Sequence, residues 1–303
     1  MKIAIAGGSG FIGNKLTKRL ISLGHSLIIL TRTAENKPPL PNTRYVEWLH
    51  NKSNPSSHLE NIDAIINLAG ESIGRQRWTN DRKASILNSR IQTTEELIDI
   101  ISKLGKKPEL LINASAIGYY GNSLTKTFTE DSLPVDKGFL ADVVRRWETK
   151  ASLAQSFGVR TVFCRLGVVL DKNEGALTKM LLPYKLFAGG TMGSGKQWIS
   201  WIHIDDVIEL FILAIEQHHI KGPLNLTSPN PLQMKEFGQT ISSVLNRPHW
   251  LPAPSFALKI ALGEMSTLVL DGQKVLPKKA ILQGYQFKYP ELTTALENTV
   301  KNP

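Results

Sequence analysis

The sequence predicts an α/β fold: a doubly wound parallel sheet with helices on both faces and a smaller C-terminal substrate-side region. Three observations carry this expectation. The chain opens on a short apolar run that ends in a glycine-rich turn and continues directly into a helical pattern. Further short apolar runs recur between longer amphipathic stretches, and runs without polar alternation suit strands covered on both faces. At 303 residues the chain has room for one large domain, or one domain plus an appendage.

Residues 2–6 read as the first strand and residues 7–13 as a turn. Residues 11–23 carry Phe11, Ile12, Leu16, Leu20 and Leu23 at helical spacing and stop at Gly24. A second strand at residues 26–30 completes a β-α-β unit of about thirty residues, the size of a parallel crossover. Strands follow at residues 45–48, 63–69, 109–114 and 160–169, with helices at 81–103 and 137–155. After Leu170 the rhythm loosens into Gly189-Gly190, Gly193-Ser194-Gly195 and prolines 229, 231, 248, 252 and 254, with a helix at 206–217. The expected division is a core at residues 1–170 with a return segment at about 196–227, and a discontinuous, mostly helical region over 171–303.

Composition narrows the function. The formal charge of +10 is spread along the chain, which suits a solvated basic surface or a phosphorylated ligand. No dense basic tract or nucleic-acid motif is present, so a nucleic-acid partner is not expected. No apolar run approaches the ~18 residues of a membrane span, and the first apolar run is too short for a signal peptide. The single cysteine, Cys164, excludes a disulfide within the chain and suits a reducing compartment, so a cytoplasmic protein is expected. The histidines show no metal-ligand spacing, and no Gly-x-Ser-x-Gly nucleophile elbow appears.

Gly7, Gly10 and Gly13 lie between strand and helix. Glycine lets backbone approach a pyrophosphate closely, and the following helix offers unpaired N–H groups and the positive end of its dipole. That context points to a dinucleotide. At the end of the second strand a free ribose 2′-hydroxyl calls for an acid. This chain has Thr31-Arg32 there, with no acid before Glu35. An arginine fork suits a 2′-phosphate, so NADP(H) is expected rather than NAD(H).

The loop Gly7-Gly8-Ser9-Gly10-Phe11-Ile12-Gly13 resembles that of the extended short-chain dehydrogenase/reductases, the NAD-dependent epimerase/dehydratase family. Asn67-Leu68-Ala69-Gly70-Glu71 and Trp201-Ile202-His203-Ile204-Asp205-Asp206-Val207 are similar to two further segments of that family. Arg77-Trp78-Thr79, Ser89-Arg90-Ile91, Ser115-Ala116-Ile117-Gly118-Tyr119-Tyr120-Gly121 and Trp147-Glu148 resemble its atypical, sugar nucleotide epimerase-like subfamily. So do Arg247-Pro248, Pro252-Ala253-Pro254, Leu262-Gly263-Glu264, Val275-Leu276-Pro277 and Gly284-Tyr285-Gln286-Phe287, the marks of a C-terminal domain of unknown function at about 248–296. The resemblance implies a Rossmann core. It implies cofactor contacts at Gly7, Gly10, Phe11, Ile12, Gly13, Thr31, Arg32, Ala69, Gly70 and Glu71, and a nicotinamide-side contact at Val168.

The family's chemistry is only partly carried over. Its catalytic Tyr-x-x-x-Lys pair is missing: none of the six tyrosines is followed four residues later by lysine. The helix that should bear the pair has Phe139 or Leu140 at the tyrosine position and Val143 or Val144 at the lysine position. An apolar side chain cannot shuttle a proton. Ser115, Tyr119 and Tyr120 are the remaining catalytic candidates, and Arg75, Arg77 and Trp78 the candidate substrate contacts. Two readings stay open: an NADP(H)-dependent epimerase or reductase acting on a small molecule, or a non-catalytic NADP(H) sensor that binds a partner. The helices at 81–103 and 137–155 would form a dimer face, yet are charged enough for a monomer.

Overall fold

The computed structural model describes residues 1–35, 37–50, 53–135 and 138–301. The first half alternates as expected. Strand β1 (Lys2–Ala6) leads into α1 (Phe11–Ser22), then β2 (Ser26–Thr31), β3 (Thr43–Glu47) and β4 (Ala64–Asn67). Helix α2 (Asn80–Lys103) begins where the Thr79 hydroxyl accepts a hydrogen bond from Arg82 N, an N-cap that a threonine supplies readily. It is followed by β5 (Leu110–Ala116), a short β6 (Thr127–Phe128), α3 (Phe139–Ser152) and β7 (Arg160–Leu166). Lys137, the expected first residue of α3, lies outside the described residues.

The expected strand at 160–169 divides. Gly167 interrupts it, and β8 (Val168–Leu170) turns away. The reason is a close backbone crossing: a Cβ at Gly167 would sit 2.4 Å from Ser200 O. Beyond it come α4 (Ala176–Lys185), β9 (Trp198–Ile199), β10 (Trp201–His203), α5 (Ile204–Glu216) and β11 (Gly222–Leu226). Strand β8 pairs in parallel with β10, whereas β11 returns to the edge of the main sheet beside β7. The chain closes with β12 (Leu232–Gln233), α6 (Met234–Leu245), α7 (Ser255–Leu262), α8 (Thr267–Leu270), β13 (Lys274–Val275), α9 (Lys278–Leu282) and α10 (Leu292–Lys301).

The central sheet has seven parallel strands in the order β3-β2-β1-β4-β5-β7-β11. Chain order reverses between β1 and β4, where open α/β sheets form a ligand crevice at the strand C-termini. Alternate residues serve the two faces. Ile3, Ile5, Leu27 and Ile29 pack with Leu16 and Leu20 of α1 and Val207 and Phe211 of α5. Ala4, Ala6, Ile28 and Leu30 pack with Leu97 and Ile101 of α2 and Ala151 of α3. A separate cluster joins Leu177 and Leu181 of α4, Phe237 and Ile241 of α6, and Leu292 and Leu296 of α10. No helix among the described residues is long and apolar enough to cross a membrane.

Among the ties between the C-terminal segment and the core, one is a buried carboxylate. Asp206, in the first turn of α5, is fully buried. It accepts hydrogen bonds from Tyr285 Oη at 2.9 Å, Lys288 N at 2.8 Å and Tyr289 N at 3.0 Å. Burial, then the adjacent Asp206 charge, pushes the Tyr285 phenol well above its ordinary pKa, so it stays a donor. Replacing Asp206 with alanine strands these donors away from water. We expect Asp206→Ala to lower unfolding free energy by roughly 2–4 kcal/mol in a denaturant titration, and Asp206→Asn, which retains one oxygen, by less.

Candidate functional site

The turn after β1 is shaped by backbone proximity. Gly7 has a positive φ of 80°, and a Cβ there would lie 2.8 Å from Leu68 C. A Cβ on Gly13 would fall 2.1 Å from Gly7 O, so α1 can pass this close to the strand end only as glycine. Gly10 differs, since among protein atoms its Cβ would meet only Gly7 O, at 3.2 Å. Gly10 N donates to Gly7 O at 3.0 Å and closes the turn. Gly10 also N-caps α1 without a side chain, and the first turn holds no acid. The leading N–H groups, at Phe11, Ile12 and Gly13, lack intrahelical acceptors. This is a cradle for a phosphate: room for close approach at Gly10, donors, and a helix dipole.

At the end of β2, Thr31 is buried and its hydroxyl donates to Thr33 O at 3.0 Å, while Arg32 is exposed. An acid does lie nearby, though the sequence did not single it out. Glu47 on β3 is the register partner of Thr31. Its carboxylate is committed elsewhere: it accepts from Ala34 N at 2.8 Å, and that bond, then His50, holds it below the usual carboxylate range.

The β4 end is organised by buried Asn67. Its amide donates to Asn113 Oδ1 at 2.7 Å and Thr94 Oγ1 at 3.1 Å, and its Oδ1 accepts from Ala69 N at 3.2 Å. Arg90 of α2 supports the next residues. It donates to Glu71 O at 3.1 Å and to Ile86 O at 2.9 Å, and its guanidinium lies 5.1 Å from the Trp147 ring. A Cβ on Gly70 would crowd Arg90 Cγ at 3.3 Å, which accounts for glycine there. Burial brings the Arg90 pKa down to about 10, so it remains cationic at neutral pH. Glu71 points its carboxylate at Arg82 of α2. The turn from Gly7 to Gly13, Thr31-Arg32 and Ala69-Gly70-Glu71 thus surround the C-terminal ends of β1, β2 and β4. Val168 lies apart from them on β8, half-buried and paired with Trp201.

The β5 end holds a buried polar network. Ser115, Arg165 and Asn225 stand side by side on β5, β7 and β11. Ser115 Oγ donates to Glu148 Oε1 of α3 at 2.5 Å, and Arg165 grips the same carboxylate through Nε at 2.8 Å and Nη2 at 2.7 Å. Arg165 Nη1 also donates to Tyr120 Oη at 3.0 Å, and that phenol donates to Asn225 Oδ1 at 2.7 Å. Tyr120 is fully buried, and burial pushes its pKa up to about 12. Tyr119 is half-buried, with the Arg165 guanidinium 3.5 Å from its ring centroid. Ser115 and Tyr120 therefore face inward, and Tyr119 is the catalytic candidate nearest the surface.

The remaining candidates separate. Trp78 is buried, donates from Nε1 to Ile73 O at 2.9 Å, and meets Phe139 edge-on at 5.1 Å. It clusters with Val143 and Ile86, and Phe139 and Leu140 pack against the same group. Arg77 donates to Ile260 O of α7 at 3.2 Å, while Arg75 is exposed. Arg165, Asn225 and Arg82 were not singled out from the sequence. The signal for Arg165 was a charge inside an otherwise apolar strand, which demands a buried partner. Among the described residues no group of three His, Cys, Asp or Glu side chains could hold a metal ion.

Glu148 and Arg165 are about as buried as an ion pair can be, with side-chain exposures of 10% and 4%. Removing either charge alone strands the other. We expect Glu148→Gln and Arg165→Met each to destabilise the fold by about 3–5 kcal/mol, and the double substitution by much less than their sum, in a denaturant double-mutant cycle.

Comparison with known proteins agrees with this arrangement. Residues 3–226 match the model of the NAD dependent epimerase/dehydratase family, and residues 253–299 match a domain of unknown function, DUF1731. The chain is 49% identical over 300 residues to Epimerase family protein YfhF of Bacillus subtilis (strain 168), covering 99% of this chain and 98% of that one. It is 43% identical over 296 residues to Epimerase family protein SH2119 of Staphylococcus haemolyticus, covering 98% of each. The crystal structure of human epimerase family protein SDR39U1 (isoform 2) with NADPH superposes with a TM-score of 0.88 at 34% identity over 100% of both chains. UDP-glucuronic acid 4-epimerase from Bacillus cereus, in complex with UDP-glucuronic acid and NAD, shares the fold, with a TM-score of 0.79 at 18% identity over 99% and 98% of the chains. With the glycine turn at the crevice of a seven-stranded parallel sheet and a family match over most of its length, the chain belongs to the NAD dependent epimerase/dehydratase family.

Proposed function

We propose that this protein binds NADP(H) and acts as a reductase or epimerase on a small molecule without the family's tyrosine–lysine pair. The observation that carries the cofactor choice is the β2 end: Arg32 is exposed there, and Glu47, the neighbouring acid, is engaged by Ala34 N. The human relative at 34% identity, whose structure contains NADPH, supports the same choice. In this reading Gly7, Gly10 and Gly13 and the N–H groups of Phe11, Ile12 and Gly13 hold the pyrophosphate. Thr31 shapes the turn that presents Arg32 to the 2′-phosphate, Ala69, Gly70 and Glu71 border the adenosine side, and Val168 borders the nicotinamide side.

When bound, the nicotinamide supplies hydride exchange with a carbonyl or carbinol carbon. This chain's residues then have to move one proton. Tyr119 is our candidate, because it is half-buried rather than buried and lies on the turn after β5, at the C-terminal edge of the sheet. Ser115 and Tyr120 act through position, anchoring the loop that carries Tyr119 to Glu148 and Asn225. Arg75 and Arg77 lie on the loop between β4 and α2, where a substrate would enter, and Trp78 braces that loop from beneath. A second reading, a non-catalytic NADP(H) sensor, draws on the apolar filling at Phe139, Leu140, Val143 and Val144.

Titration with NADPH and NADH tests the cofactor proposal. We expect NADPH to bind at least about tenfold tighter, a gap of ~1.4 kcal/mol, and Arg32→Ala to cut that preference sharply. Equal affinities would overturn it. Substrate-dependent oxidation of NADPH that falls at least about tenfold in Tyr119→Phe, with NADPH affinity unchanged, is expected for the enzyme. Tight NADPH binding with no turnover across carbonyl and nucleotide-sugar panels would favour the sensor.

A further inference from the structure

Beside Arg32 stands a group of charges that the glycine cradle does not use. Arg82, in the first turn of α2, directs Nη1 to the Glu71 carboxylate and Nη2 to Ser72 O. Its Nε is buried and has no hydrogen-bond partner. The pair is lopsided: the Arg82 side chain is 13% exposed and that of Glu71 is 44% exposed. The arginine is therefore fixed by the fold, while the carboxylate is the outer, replaceable member. A hydrogen bond from Ser85, then Arg82, and then the Arg32 charge hold Glu71 below the usual carboxylate range, and Arg32 directly follows β2. Arg90 adds a third positive charge, and it donates to the backbone carbonyls of Glu71 and Ile86.

Arg82 meets the Glu71 carboxylate, Arg90 holds the Glu71 backbone carbonyl and Arg32 is exposed at the β2 end, so cations outnumber anions among these four side chains. A phosphate monoester carries about −1.5 to −2 charge at neutral pH and three acceptor oxygens. It would balance that excess, and arginine forks match its geometry. A ribose hydroxyl would do neither. The β2 end and the loop after β4 border the same end of the crevice, so one phosphate can meet both Arg32 and Arg82.

We propose that Arg82 is a specificity-determining residue that grips the 2′-phosphate of NADP(H) opposite Arg32, and that Glu71 is an internal counter-ion that holds Arg82 ready and yields it to that phosphate. This rests on the NADP(H) reading above. It assigns discrimination to two elements rather than to the β2 turn alone. Glu71 moderates it: the carboxylate competes with the phosphate for Arg82 and keeps three arginines from repelling one another in the apoprotein.

Calorimetric titration of the full chain with NADPH, NADH and adenosine 2′,5′-bisphosphate tests this, with thermal unfolding recorded for each variant. Arg82→Ala is expected to weaken NADPH and the bisphosphate at least about tenfold while NADH stays within about threefold. Glu71→Gln is expected to tighten NADPH severalfold by removing the competitor. Arg82→Lys keeps a charge without the fork and should fall between wild type and alanine, which preserves the test if the alanine variant fails to fold. An Arg82→Ala protein that keeps its preference for NADPH, or loses both cofactors equally, overturns the role of Arg82. Weaker NADPH binding in Glu71→Gln overturns the counter-ion role. A wild-type protein that does not prefer NADPH defeats the cofactor reading itself, independently of Arg82.

Discussion

The Arg165 guanidinium is buried at the C-terminal end of the sheet, and a buried cation must be paired and hydrogen-bonded or expelled. Glu148 answers it from α3, and Tyr120 from the loop after β5. Asn225 joins from β11 and Ser115 from β5, so one charge fixes the mutual position of three strands, a helix and the loop bearing Tyr119. Specificity of geometry is the gain from such a network, since a half-satisfied version would be worse than an apolar core. Glu148 thereby also anchors α3, the helix that carries Phe139, Leu140, Val143 and Val144.

The cofactor side depends on a different constraint, close approach of backbone to backbone. Gly13 lets α1 cross β1 against Gly7 O, and Gly7 lets the turn pass Leu68 at the β4 end. These contacts bring the N-terminus of α1 to the point where sheet order reverses, so the dipole and the unpaired N–H groups face the crevice. Arg32 follows β2 and Arg82 lies in the first turn of α2, against Glu71.

Local signals were legible where physics is local. The 3.6-residue spacing of Leu16 and Leu20 marked α1, and uninterrupted apolar runs marked β1, β2, β4 and β5. The glycine turn was readable because close backbone contacts require glycine at Gly7 and Gly13. Less legible was the departure of β8 at Gly167, since Val168 and Val169 continue an apolar run and only the crossing of Ser200 turns them away. Strand β11 begins with Gly222-Pro223, a pair that discourages a strand assignment, and an edge position tolerates that proline.

The sequence by itself determined the α/β architecture, the glycine turn after β1 and the lack of any tyrosine followed four residues later by lysine, because each is written in residue type and short-range spacing. Only the tertiary structure decided what stands in their surroundings. Ser115 and Tyr120 look catalytic in a string of letters, yet their hydroxyls are engaged by Glu148 and Asn225, 33 and 105 residues away in the chain. Glu47 is an acid close to Arg32 in space and distant in sequence, and Arg82 meets Glu71 only because α2 returns over the β4 end. Pairing of buried charges is a three-dimensional condition: the need for a partner is visible in one strand, and the partner's identity is settled by packing.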